Sequence, residues 1–297
     1  DKSLQACNHF IQQNSQKKLA YPLFGNISPD FTPEFLLNYL KTQHKKNDLS
    51  LNSKKFNKNI NDNKEWIKLE NNFQTIFFRN PLVTGFEFNH SHSDFFHFVN
   101  FYKGNPIFID IGRKNYLKNN LDYLFSEAHN SIIINKNGIF DRHIKKNFFS
   151  KIGILDLKKE NYKVIRSKDK IVFKALLKNK SIITRTFILQ NKGLKIENEF
   201  KNMNQKNRIN IPLFLDNEIM IKKINKSNIQ LSSRFFRSSL NIDSKNNNPK
   251  MKIFNKKNYY KFKQCTSYGE TKNLGLINLS FLCKDYFKSK LKLNFLD

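Results

Sequence analysis

From Trp66 onward the sequence is a succession of short apolar or alternating runs, each closed by a polar turn, and that rhythm restricts the fold more than any other feature. The runs include FQTIFFR, GFEFNHSH, FFHFVNFY, PIFIDI, SIIIN, KIVFKALL, SIITRTFILQ, LKIENEF, INIPLFL, NIQLSS, MKIFN and GLINLSFL. Alternation sends successive side chains to opposite faces of a strand, so runs of this length and spacing predict a large antiparallel β-sandwich domain. Reversals are expected at Asn137 and Gly138 and again over Asn191 to Gly193, where the residue types tolerate the backbone of a tight hairpin. No internal repeat is visible.

The first sixty or so residues follow another pattern. Leu4, Cys7, Phe10 and Ile11 fall at helical spacing and predict an amphipathic helix from Ser3 to about Gln13. A loop with Gly25, Pro29 and Pro33 follows, then a second short helix with Phe35, Leu36, Tyr39 and Leu40 on its apolar face. Residues 45–64 are almost entirely Lys, Asn, Asp and Ser, which predicts a mobile linker. The expected organisation is a helical segment and linker over 1–64 and a β domain over 65–297. The chain starts without Met, from which we expect that residues before Asp1 have been removed. Its first residues, DKSLQACNHF, lack the basic and then apolar layout of a signal peptide. No run approaches the roughly 18 uninterrupted apolar residues of a membrane helix, so no integral membrane segment is expected.

Charge narrows the partners less than its size suggests. Lys and Arg number 53 against 24 Asp and Glu, a net +29 that concentrates polyanions at the surface, whether nucleic acid, anionic lipid or acidic polysaccharide. Abundant Lys, Asn, Ile and Phe with scarce Arg is also what a genome rich in A and T produces. The Lys clusters are scattered (Lys54 to Lys58, Lys145 and Lys146, Lys256 and Lys257) and no nucleic-acid-binding module is present, so nucleic acid is not expected as a partner. Cys7, Cys265 and Cys283 form no CxxC pair; buried free thiols are expected, with a Cys265 to Cys283 bridge open in an oxidising compartment.

The chemistry-bearing residues gather between positions 90 and 129. His90 and His92 stand two positions apart in a run that reads as a strand, so both imidazoles and Asp94 project from one face. Asp110 closes PIFID and His129 precedes the IIIN strand. Two imidazoles and a carboxylate suit zinc or a similar divalent ion, with water in the remaining position, and the candidate ligands are His92, Asp110 and His129. An HxH pair in a strand is more often simply hydrogen-bonded, and sequence distance proves no proximity. His97, offset from His92 by an odd number, is expected to face the other way as a packed or surface residue. His9, His44 and His143 have no partner pattern.

HSHSDFFHFVNFYKGNPIFIDIGRKNY followed by AHNSIII resembles the heparinase II/III-like family of polysaccharide lyases, whose β domain carries HxHxD, a strand ending in Asp-x-Gly and a later His-Asn before an apolar strand. FGNISPDFTPEFL is similar to a segment found just before that β domain, and RTFILQNKGLKIENEF to its paired strands. The resemblance spans roughly Leu4 to Phe200. It implies that 1–64 is the end of an α/α toroid domain, that His92, Asp110 and His129 hold the metal, and that His90 stands at the edge of the catalytic cleft. Tyr116 matches a cleft tyrosine of related alginate lyases. Two departures stand out: Phe125, Ser126 and Glu127 replace an Arg-Ser-Thr that would offer a cation to an acidic sugar, and Asn26 replaces an Asp.

The activity implied is β-elimination on a uronate-containing polysaccharide, in which a base takes the proton α to the carboxylate and an acid protonates the leaving glycosidic oxygen. In the family the metal chiefly organises the β domain and the toroid supplies much of the chemistry, so the chain alone is expected to be weakly active or inactive. A periplasmic or secreted location follows by the same analogy. The competing expectation is a non-catalytic carbohydrate-binding or structural β domain of a degenerate relative.

Overall fold

The computed structural model describes residues 66–79, 92, 94–114, 122–123, 125–138, 140–145, 148–153, 162–177, 179–245, 249–255, 261–267 and 270–296. The expected helical segment and linker of 1–64, Cys7, His90 and Tyr116 lie outside them. No α-helix occurs among the described residues, and none of their elements is a helix long and apolar enough to cross a membrane.

Nineteen strands occur among the described residues. They are β1 (Trp66–Glu70), β2 (Gln74–Arg79), β3 (Phe98–Tyr102), β4 (Asn105–Phe108), β5 (Ile133–Ile134), β6 (Asn137–Gly138), β7 (Phe140–Lys145), β8 (Phe148–Gly153), β9 (Tyr162–Ser167) and β10 (Lys170–Leu176). The remainder are β11 (Ile182–Gln190), β12 (Gly193–Leu215), β13 (Met220–Lys223), β14 (Asn228–Ser232), β15 (Arg237–Lys245), β16 (Lys250–Phe254), β17 (Gln264–Ser267), β18 (Glu270–Lys272) and β19 (Gly275–Phe295). Fifteen of them join one sheet along the path β1-β2-β3-β4-β12-β19-β15-β14-β13, with β9, β10 and β11 branching from β12, β5 and β6 also on β12, and β16 on β19. The pairs β7-β8 and β17-β18 stand apart. Neighbours run antiparallel throughout, as in a β-sandwich-like fold.

The spine is the ladder between β12 and β19, which runs from Gly193 opposite Asn294 to Leu215 opposite Gly275. By sequence, LKIENEF and INIPLFL read as separate strands because the stretch between them, KNMNQKNR, is polar. The structure joins them, because pairing with β19 satisfies the backbone of that stretch whatever its side chains are. The register slips between Lys201 and Met203, where Asn202 adopts φ 59. The extra residue is a β-bulge and switches the parity of burial. Leu194, Ile196 and Phe200 are buried before it, Ile209, Ile211 and Leu213 after it, and both sets enter the same core.

Phenylalanine fills that core. Phe78, Phe98, Phe173 and Phe187 pack edge-on or tilted with ring centroids from 4.6 to 6.1 Å apart, and Phe295 stacks on Tyr102 at 3.6 Å. Each ring fully removed from water contributes about 1.5–3 kcal/mol before entropy is counted. A second, smaller cluster joins Ile109, Ile111, Phe214, Phe262 and Cys265. Cys265 and Cys283 are free and buried, in different clusters, so no bridge links them.

One hairpin turns where expected and one does not. Gln190 pairs with Gly193, leaving Asn191 and Lys192 as the reversal. The other reversal is two residues earlier than expected: Asn135 and Lys136 carry the positive φ values, 52 and 68, and Asn137 and Gly138 already pair with Ile134 and Ile133. Asn135 takes the αL region readily, and its side chain is anchored by Arg208, whose N–H donates to Asn135 Oδ1 at 2.8 Å.

Candidate metal centre

Three segments meet beside the start of β3. The first is the turn from Asp94 to His97, closed by the His97 N–H donating to the Asp94 carbonyl at 3.0 Å, with Phe96 at φ 62. Here the chain departs from the strand expected through His92 and Asp94. A turn has no two-residue parity, and His97 therefore faces inward instead of away. The second segment is Asp110 to Gly112, just past β4, where the Gly112 N–H donates to Asp110 Oδ1 at 2.9 Å and Gly112 sits at φ 68. The third is His129, which follows a 3-10 turn over Ser126–Ala128 and donates its N–H to the Ser126 carbonyl.

The side chains converge on one oxygen. Asp110 Oδ2 lies 3.2 Å from His97 Nε2 and 3.4 Å from His129 Nδ1, and all three side chains are fully buried. One donor atom from each lies within 4.8 Å of the others, so His97, Asp110 and His129 could hold a metal ion. His92 is also buried, its ring centroid 5.2 Å from that of His129, the same separation as between His97 and His129. Two imidazoles that share a tetrahedral zinc, with Zn–N of about 2.0–2.1 Å, stand about 5 Å apart between ring centres. Of the residues expected from sequence, then, the structure brings together Asp110 and His129, sets His92 against His129, and adds His97.

Electrostatics separate the roles of the two flanking imidazoles. Burial works against the Asp110 carboxylate, but His129 and His97 facing it outweigh that cost and hold its pKa well below the ordinary carboxylate range. Burial pulls the His97 pKa down, opposed by Asp110, so the ring is neutral near pH 7. Its Nδ1 accepts the Asn130 N–H at 2.9 Å, which places the single ring proton on Nε2, toward Asp110. In that tautomer the Nε2 proton faces the carboxylate, with Asp110 Oδ2 at 3.2 Å.

Asn130 and Arg185 build the frame, and sequence reasoning assigned neither a role. Asn130 Nδ2 donates to the carbonyls of Phe98 and Ile109, both at 2.9 Å, and its Oδ1 accepts the Phe214 N–H at 2.6 Å. It thereby ties the turn, the Asp110 segment and the end of β12 to the residue that follows His129. Arg185, on β11 and fully buried, donates through Nη1 to the Phe96 carbonyl at 3.0 Å and the Asn130 carbonyl at 2.9 Å. Its guanidinium lies 5.1 and 5.2 Å from the Phe98 and Phe187 ring centroids. Desolvation lowers its pKa to about 9, so it remains a cation near neutral pH. The usable signals were a cation at an inward-facing position of an apolar strand and an amide directly after a candidate ligand. Glu127, which stands where the resemblance expected no acid, is paired with Lys261.

No family model matches the chain, and no curated protein matches it. Solved structures do. A heparinase III gene product superposes with a TM-score of 0.64 at 13% identity, over 97% of this chain and 45% of that one. The heparan sulfate lyase HepC from Pedobacter heparinus superposes with a TM-score of 0.63 at 11% identity, over 95% of this chain and 45% of that one. The chain thus spans less than half the length of these lyases and shares the fold of the part it matches.

Proposed function

We propose that this chain is the metal-binding β domain of a polysaccharide lyase that cleaves a uronate-containing polymer by β-elimination. The observation that carries the reading is the buried convergence of Asp110 with His129 and His97, beside His92, in a fold shared with heparan sulfate lyases. The donor set suits zinc, which His92, Asp110 and His129 would hold, with His97 against Asp110 beside them. Bound there, it would cross-link the three loops that form this end of the domain. His97 orients the carboxylate and Arg185 pins the loops from behind.

In the reaction, a base removes the proton α to the uronate carboxylate, the C–O bond to the leaving sugar breaks, and an acid returns a proton to that oxygen, leaving an unsaturated uronate. Stabilising the enolate-like intermediate is the demanding step and requires donors aimed at the carboxylate. His90, just before the metal loop, and Tyr116, between Asp110 and His129, are the groups this chain would offer. The toroid, of which 1–64 is the end, supplies the remainder. The enzyme meets its substrate in the periplasm or outside the cell.

Elemental analysis of purified protein, alongside His92→Ala and Asp110→Ala, tests the reading. About one zinc per chain, lost in both variants, together with ultraviolet-absorbing products from a uronate polymer treated with the toroid-containing protein, is the expected result. Metal and glycan binding without such products would leave a carbohydrate-binding domain. Absence of metal, with both variants as stable as the parent, would overturn the assignment.

A further inference from the structure

On the outer face of the β12–β19 ladder lies a groove of about 470 Å³ whose rim carries Lys136, Arg208, Lys250 and Lys252. All four are exposed, and no acidic residue lines the groove among the described residues. Its floor follows the ladder rungs. Asn210, Ser280 and Lys250 form one rung across three strands; Asn278 and Lys252 lie on the next, and Arg208 pairs with Leu282 on the other side. Cations two residues apart on a strand, such as Lys250 and Lys252, recur at about 6–7 Å along it. Between them the amides and the hydroxyl offer donors and acceptors of the kind that pair with sugar hydroxyls. Leu282, 42% exposed, adds an apolar surface.

We propose that this groove binds an acidic polysaccharide chain, with the lysines and Arg208 meeting its carboxylates. The inference rests on the lyase reading and names the face along which its substrate is held. The groove shares its side of β12 with Phe214, which packs against Ile109 and Ile111 on either side of Asp110. From Arg208 to Phe214 is about 20 Å of strand, so a glycan lying along the groove is directed toward the end of the domain that carries the metal loops. The groove gathers four cations around one concavity lined by uncharged hydrogen-bonding groups.

The test is fluorescence anisotropy of a labelled uronate oligosaccharide with the metal-loaded chain, comparing the parent with R208Q/K252Q and with K163Q/K174Q. The latter pair sits on the exposed face of neighbouring strands β9 and β10 and removes the same charge. Loss of two exposed contacts is expected to weaken binding about tenfold in the groove variant and less than twofold in the control. Equal weakening in both variants, or no change in either, overturns the proposal, as does a parent that binds a DNA duplex as tightly as the uronate probe at moderate salt. Metal content, measured on the same samples, separates the failures. Retained zinc and tight uronate binding in R208Q/K252Q sink the groove alone, whereas a parent with neither zinc nor uronate affinity removes the lyase reading as well.

Discussion

Asn130 donates its backbone N–H to Nδ1 of His97 at 2.9 Å, and the other ring nitrogen lies 3.2 Å from Asp110 Oδ2. The contact makes His97 a positioning residue for the carboxylate. In zinc-loaded protein, nitrogen-correlated NMR of the histidine rings should therefore still show a proton on His97 Nε2. His97→Gln, which keeps an amide donor near that place, should bind one ion with affinity reduced about 10–100-fold. Disappearance of the Nε2 proton on metal loading would make His97 a ligand and displace His92.

Arg185 supplies the partner of two buried carbonyls, Phe96 and Asn130. Arg185→Met fills much of the volume and leaves both acceptors without it. Urea denaturation should show a loss of about 2–4 kcal/mol, the cost of two desolvated acceptors. A change below 0.5 kcal/mol, about what a surface substitution costs, would mean that the two loops hold themselves.

Gly112 combines a left-handed backbone, φ 68, with the N–H that binds Asp110 Oδ1. A side chain at that φ costs about 1–2 kcal/mol. Gly112→Ala should lower stability by that amount and weaken zinc binding as well, because relieving the strain moves the amide off the carboxylate. Unaltered zinc affinity in a destabilised variant would separate the turn from the metal site.

Acid should act on the metal-free protein in two stages. His97 has a lowered folded pKa, so the unfolded chain takes up a proton near its ordinary value while the folded one does not; stability is full above about pH 6.5 and declines below it. Asp110 is also lowered, and its contribution is present above about pH 3.9 and lost as pH falls through the folded value. The urea midpoint should first drop as pH falls below about 6.5, and His97→Gln should remove that drop while leaving the steeper fall at lower pH. A parent whose midpoint stays level below about pH 6.5 until the carboxylate fall would contradict a buried neutral His97.

Strands were legible where apolar alternation was strong, as in the KIVFKALL and SIITRTFILQ runs that became β10 and β11. They were illegible where pairing overrode composition. Lys201 to Arg208 reads as a loop and lies within β12, and the polar stretch after GLINLSFL is the second half of β19. At the site, the residue types and order of Asp110 and His129 were visible because ligand chemistry restricts them to a few side chains. His97 was assigned to the wrong face because parity was carried through a turn that begins at Asp94.

The sequence by itself determined the class of fold, through the two-residue period of its apolar residues, and the stock of possible ligands. Tertiary structure alone decided which of them meet. The bulge at Asn202 and the bonds of Asn130 and Arg185 join positions far apart in the chain, and the left-handed residue at Phe96 turns His97 inward to meet them. Local patterning reports which face a side chain takes within its own element, and the geometry of a site depends on how separate elements are locked together.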